Sequence, residues 1–167
     1  MQSWALVPGN DGRDRRASIS LDLNQPLHGR HCLRVVVPTA TPLVVPFSLP
    51  YGGAFGLLLQ PNQRYAVTLW ARAERSGRDS DSEKLTLGIM NGTWSNTADW
   101  TDTGKYAMNF TGVVQGAVHE LSMEWNSIAA TVSSDHSSSS LHLRLGGGPG
   151  VIYLDNTSVV SLPTTSE

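Results

Sequence analysis

The hydrophobic residues of this chain recur at every second position in short runs, and no long segment places them at i, i+3, i+4 and i+7. That period is the pleat of a β-strand, in which alternate side chains point to opposite faces. Between Ser18 and Leu23 the apolar set is Ile19, Leu21 and Leu23, with Ser18, Ser20 and Asp22 between them. After a turn at Leu27-His28-Gly29-Arg30, the residues Leu33, Val35 and Val37 repeat the pattern until Pro38 interrupts it. Four prolines between Pro38 and Pro50 confine that stretch to an edge strand or an extended connection. The clearest strand runs from Arg64 to Ala73: Tyr65, Val67, Leu69 and Ala71 form a core face, and Thr68, Trp70 and Arg72 a polar and aromatic row on the other.

The alternation resumes beyond a charged, Ser-rich loop at Glu74 to Glu83, with Leu85, Leu87 and Ile89. It continues through Leu121, Met123 and Trp125, which assigns Trp125 to the core, and through Ile128, Ala130 and Val132. A polar connection, Ser133 to Ser140, leads to Leu141, Leu143 and Leu145. Gly146-Gly147-Gly148-Pro149-Gly150 reads as a hairpin turn before a last strand, Val151 to Val160. Many short strands and a composition with 16 Gly and 9 Pro predict an all-β domain, a two-sheet antiparallel sandwich or jelly roll. Its 167 residues suffice for one domain, predicted over 1–162, with 163–167 as a tail or the start of a linker.

Charge and motifs exclude several functions. Twelve Lys and Arg against fourteen Asp and Glu leave a net charge of −2, with no basic field to hold nucleic acid. No run reaches the roughly 20 apolar residues of a membrane helix, and Met1-Gln2-Ser3-Trp4 does not begin a secretory leader. Cys32, the one cysteine, can form neither a disulfide nor a cysteine metal site within the chain. The sequons at Asn91, Asn109 and Asn156 would accept glycans in a secreted or lumenal setting, the compartment they favour. No Gly-x-Ser-x-Gly elbow occurs, His28 and His31 read as a pair of turn histidines, and the glycine run lacks the lysine of a phosphate loop. Glycoside hydrolysis needs two carboxyl groups facing each other across a sugar, whereas Glu74, Glu83, Glu120, Glu124 and Glu167 fall in loops, at a terminus or on solvated faces. A non-enzymatic chain is expected.

Sugar recognition asks instead for flat aromatic faces and planar hydrogen-bonding groups. Trp70 and Arg72 offer both from one strand, and His142 and Arg144 project likewise from Leu141 to Leu145. The four would share a surface if their strands share a sheet. Trp70 could equally pack beneath a covering loop. Trp94, Trp100 and Tyr106 add aromatics to the polar stretch Asn91 to Tyr106.

The order of Leu33-Arg34-Val35, Phe55-Gly56-Leu57, Pro61 to Arg72, Leu85-Thr86-Leu87, a tryptophan region and Val151 to Val159 resembles carbohydrate-binding modules of the galactose-binding-domain-like jelly-roll class. Gln25-Pro26-Leu27-His28, Ala54-Phe55-Gly56, Tyr65 and Leu154-Asp155 are most similar to the non-catalytic domain preceding the barrel of α-L-arabinofuranosidases. Asn156-Thr157 in the last strand and the Ser-rich loop before Leu141 depart from that pattern. The resemblance implies a polysaccharide or other glycan as partner, a tethered glycoside hydrolase, and a rim or cleft near Trp94 and Trp100. It also implies a structural calcium held by Asp155 and by carbonyls of the turn near Gly29 and Arg30. A competing expectation is a structural or docking subunit of a larger protein complex that reuses the sandwich without binding sugar.

Overall fold

A computed structural model describes residues 18–38, 43–46, 57–75, 84–94, 110–135 and 139–163. Among these are ten strands and no helix: β1 (Ser18–Asp22), β2 (Cys32–Val37), β3 (Leu43–Pro46), β4 (Leu57–Leu58), β5 (Gln63–Arg75), β6 (Thr86–Trp94), β7 (Phe110–Glu120), β8 (Asn126–Ser134), β9 (Ser139–Gly146) and β10 (Gly150–Ser161). They form two antiparallel sheets, one ordered β1-β2-β10-β5-β8 and the other β3-β9-β6-β7, with β4 paired to β9. The fold is an all-β jelly-roll sandwich.

The alternation explains the core. Register places Val35, Ile152 and Ala73 side by side on the inner face of the first sheet, and Leu145 beside Leu87 on that of the second. Leu69, Leu87, Ile89, Ile128, Leu141, Leu143, Leu145 and Ile152 are all buried in one cluster between the sheets. Truncating such a side chain to alanine costs about 2 to 5 kcal/mol, so each of these positions matters to the fold. Polar lacing closes one margin of the sandwich. Asn91 Nδ2 of β6 and Gln115 Nε2 of β7 both donate to the carbonyl of Ser133 in β8, while the Ser133 N–H donates to Gln115 Oε1.

Several expectations change. Leu121, Met123 and Trp125 do not form a strand: the segment is a turn in which Met123 is 72% exposed, and Trp125 lies half-buried just before the start of β8 and not in the core. The strand β7 escapes the period-two search because its register against β6 shifts between Leu87 and Ile89, where Gly116 takes φ +78°. The glycine run after β9 is not a hairpin, since β9 and β10 belong to different sheets. A Cβ at Gly147, whose φ is +97°, would stand 2.5 Å from the Lys84 carbonyl oxygen, so this crossing demands glycine. Asn91 is half-buried, its Nδ2 donates to the Ser133 carbonyl and its Oδ1 is buried.

His142 supplies a pH signature. Its register partners are Pro46 and Met90 on the outer face of the second sheet, yet its side chain is 0% exposed. Nδ1 lies 3.1 Å from the Ser140 carbonyl, which can only accept, so Nδ1 carries the proton of a neutral ring. Burial disfavours the imidazolium and lowers the pKa to about 4. The folded state therefore binds this proton less readily than the unfolded chain does. The corresponding stability is complete above the unfolded pKa near 6.5 and is lost as pH falls from there toward 4, by about 3 kcal/mol in all. Urea unfolding followed across that window should show the midpoint falling, with a flatter dependence in His142→Gln; an unchanged dependence in the variant would remove His142 as its source.

Candidate functional site

The outer face of the first sheet carries a row of alternating cations and aromatic rings. Register aligns Ser20, Arg34, Tyr153 and Arg72 across β1, β2, β10 and β5. The Arg72 guanidinium carbon stands 3.9 Å from the centre of the Tyr153 ring and 5.3 Å from that of Trp125. Both distances lie within the reach of cation–π attraction. The ends of the row are tied down. Arg34 Nε is 3.8 Å from Asp22 Oδ2, Tyr153 donates its hydroxyl to Glu74 Oε2 at 2.9 Å, and Trp125 Nε1 donates to the Gln25 carbonyl at 3.3 Å. Burial, reinforced by the bond to Glu74, raises the Tyr153 pKa and keeps the phenol protonated as that donor. One step along β5, Trp70 shares this face with Asp155 and Ser127 and is half-buried.

Asp155 fixes the turn beside this row. Its Oδ2 accepts from the backbone N–H groups of Leu27 at 2.8 Å and His28 at 2.9 Å, and its Oδ1 accepts from that of Asn156 at 2.7 Å. Hydrogen bonds to a carboxylate are the strong kind, and two of them, from Leu27 and His28, anchor the turn to β10 across 127 to 128 residues of sequence. This arrangement does not suit the calcium that the resemblance implied. Calcium requires converging oxygen ligands, whereas three N–H groups face this carboxylate. Among the described residues, no group of three His, Cys, Asp or Glu side chains is placed to hold a metal ion.

A cavity of about 330 Å³ opens next to this clamp, lined by Leu21, Leu33, Leu154, Asp155, Asn156 and Thr157 together with His31 and Cys32. Cys32 is buried, and desolvation raises its thiol pKa, with Asp22 and Asp155 adding to the rise. The thiol is therefore held protonated and is a poor nucleophile.

The structure separates residues that the sequence grouped. Trp70 and Arg72 lie on the first sheet through β5, and His142 and Arg144 on the second through β9, so the four do not share a surface. Arg144 is half-buried and faces outward beside Gly88 and Val44, whereas His142 is fully buried. Trp94 ends β6 opposite Phe110, its side chain outside the described residues, as are Trp100, Tyr106 and Asn109. Asn156 is exposed in β10. Sequence reasoning missed Tyr153 and Trp125 as neighbours of Arg72, and Arg34 as the next member of the row beyond Tyr153. Tyr153 alternates with Ile152 and Leu154 and was legible as an outward residue, but its contact with Arg72 depends on the β10–β5 register.

No protein-family profile matches the chain, and no curated protein does. Solved structures do share its fold. The xylan-binding domain CBM22-1 of Paenibacillus barcinonensis Xyn10C superposes with a TM-score of 0.62 at 12% identity, covering 97% of this chain and 87% of that one. The CBM22-1 and GH10 modules of Clostridium thermocellum xylanase 10B, complexed with xylohexaose, give 0.60 at 12% identity over 96% of this chain and 26% of that one. TmCBM61 in complex with β-1,4-galactotriose gives 0.53 at 11% identity, over 95% and 88%. These neighbours are carbohydrate-binding modules, and the likeness is one of fold.

The clamp is directly testable. Asp155→Asn replaces one accepting oxygen with a donor and should cost about 2 kcal/mol of stability. Adding a chelator to the unmodified protein should leave its melting temperature unchanged; a chelator-induced drop would show that a metal, and not the backbone N–H groups, secures the turn.

Proposed function

We propose that this chain is a non-catalytic carbohydrate-binding module that takes a neutral polysaccharide or oligosaccharide on the outer face of the first sheet. The observation that carries the reading is the arrangement of Trp70, Arg72 and Trp125, all partly exposed on that one face. Indole rings supply flat apolar surfaces for the C–H side of a sugar ring, and the guanidinium supplies hydrogen-bond donors for hydroxyls. Stacking on Tyr153 and Trp125 holds Arg72 in one orientation, which lowers the ordering cost of binding. The fold neighbours that bind xylan or hold a galactotriose support the same class of ligand. The loop residues Trp94, Trp100 and Tyr106, and Arg144 on the second sheet, are subsidiary candidates within this reading.

Four acids among the described residues do not favour hydrolysis. Asp22 pairs with Arg34, Glu74 accepts from Tyr153, Glu120 binds Lys84 Nζ at 2.9 Å, and Asp155 accepts three backbone N–H groups. Each is committed to a structural partner, which does not suit the free acid and base or nucleophile of a glycosidase. The natural setting we infer is attachment to a glycoside hydrolase, as in the xylanase neighbour, with the arabinofuranosidase type the one suggested by the Gln25 to His28 turn.

A docking role is the second reading, favoured by the exposed Leu21, Leu23 and Met123. Affinity electrophoresis through gels containing xylan, arabinoxylan or galactan separates the two. Retardation by at least one polysaccharide is expected, with Trp70→Ala and Trp125→Ala each weakening binding by about tenfold, or about 1.4 kcal/mol. Folded protein that migrates freely through all of these gels would overturn the glycan reading and leave docking as the alternative.

A further inference from the structure

We infer that the cavity between the β1–β2 turn and the bulge of β10 is a second ligand site, one that takes a single neutral sugar residue such as a chain end. The inference rests on the reading of this chain as a glycan binder but concerns a cavity at the margin of that face, lined by residues other than Trp70, Arg72 and Trp125.

The cavity exists because two strands part. β10 pairs with β2 only from Gly150 to Leu154, and its register against β5 then jumps from Asp155 opposite Trp70 to Ser158 opposite Thr68. One extra residue is accommodated there, with Asn156 at φ +47°. Bulges of this kind re-aim side chains and occur preferentially beside functional sites. Here Asn156 and Thr157, unpaired in the ladder, line the cavity. Gln25 in the facing turn also adopts a left-handed conformation, φ +54°, which is uncommon for that residue type and is held by the Asp155 clamp on Leu27 and His28.

The lining defines the ligand. Buried Leu33, Leu154 and Cys32 give an apolar floor, and Leu21, 60% exposed, extends it to the mouth. His31, Asn156 and Thr157 are exposed around it, offering an imidazole, an amide and a hydroxyl. Among the described residues no Lys or Arg lines the space, and a carboxylate does, which disfavours an anion. That carboxylate already accepts three N–H groups, which disfavours a cation. A compact ligand with an apolar face and several hydroxyls is what remains. The volume of about 330 Å³ sits at the lower end of the roughly 300 to 1,000 Å³ of small-molecule sites, enough for a sugar ring and not for a length of polymer.

The test is a titration of the ¹⁵N-labelled chain, made in bacteria so that Asn156 carries no glycan, with D-xylose, L-arabinose, D-galactose and D-glucose in turn. Each would be taken to roughly 50 mM, so that a site with a Kd in the tens of millimolar is detected. Xylohexaose and β-1,4-galactotriose serve as parallel ligands. At least one monosaccharide should shift the amide signals of His31, Cys32, Asn156 and Thr157. The variant Asn156→Gly with Thr157→Ala, which tolerates the left-handed backbone, should lose these shifts while keeping its melting temperature. Oligosaccharide shifts confined to Trp70, Arg72 and Trp125, with none at the cavity from any monosaccharide, would overturn this site and leave the outer-face reading intact. Unaltered monosaccharide shifts in the double variant would also overturn it. No shift with any ligand would overturn both.

Discussion

The arrangement of the candidate site depends on one carboxylate. Asp155 gathers the N–H groups of Leu27, His28 and Asn156, and so ties the turn between β1 and β2 to the bulge in β10. With that turn fixed, the Gln25 carbonyl is available to the Trp125 indole, and Trp125 is held against Arg72. The same carboxylate sits where the resemblance calls for a metal ligand. Three backbone N–H groups donate to it.

The two sheets share a core but differ in what they show outward. On the first sheet, inward Leu, Val, Ile and Ala residues alternate with an outward row of Arg34, Tyr153 and Arg72, ending on Trp125. On the second, the outward positions of β9 and β6 include the fully buried His142 and the nearly buried Met90. A neutral, buried imidazole contributes stability only where pH keeps it uncharged. A sandwich can thus keep one outer face for structure and use the other for recognition, because alternation lets the two faces of a strand differ independently.

The sequence announces the strands wherever alternation runs unbroken, as in β1, β2, β5, β9 and β10 up to its bulge. It hides β7, where the register shift at Gly116 breaks the phase of the pattern. Leu121, Met123 and Trp125 mislead in the opposite sense, since their alternation is that of a turn held by the Leu121 N–H on the Leu85 carbonyl and the Ala73 N–H on that of Ser122. Trp70 and Arg72 were legible as outward residues because they lie within an unbroken strand. What β5 shares its sheet with was not, since pairing partners are set by contacts between distant segments. For that reason Arg144 and His142 were grouped with the wrong surface, and the clamp that joins Asp155 to Leu27 leaves no local trace.

The account is tested most directly by a crystal structure of the chain with xylohexaose or β-1,4-galactotriose. It predicts sugar density stacked on Trp70 and Trp125, with ring hydroxyls within hydrogen-bonding distance of Arg72. Density confined to the outer face of the second sheet would contradict the assignment of the recognition surface to β5 and β10.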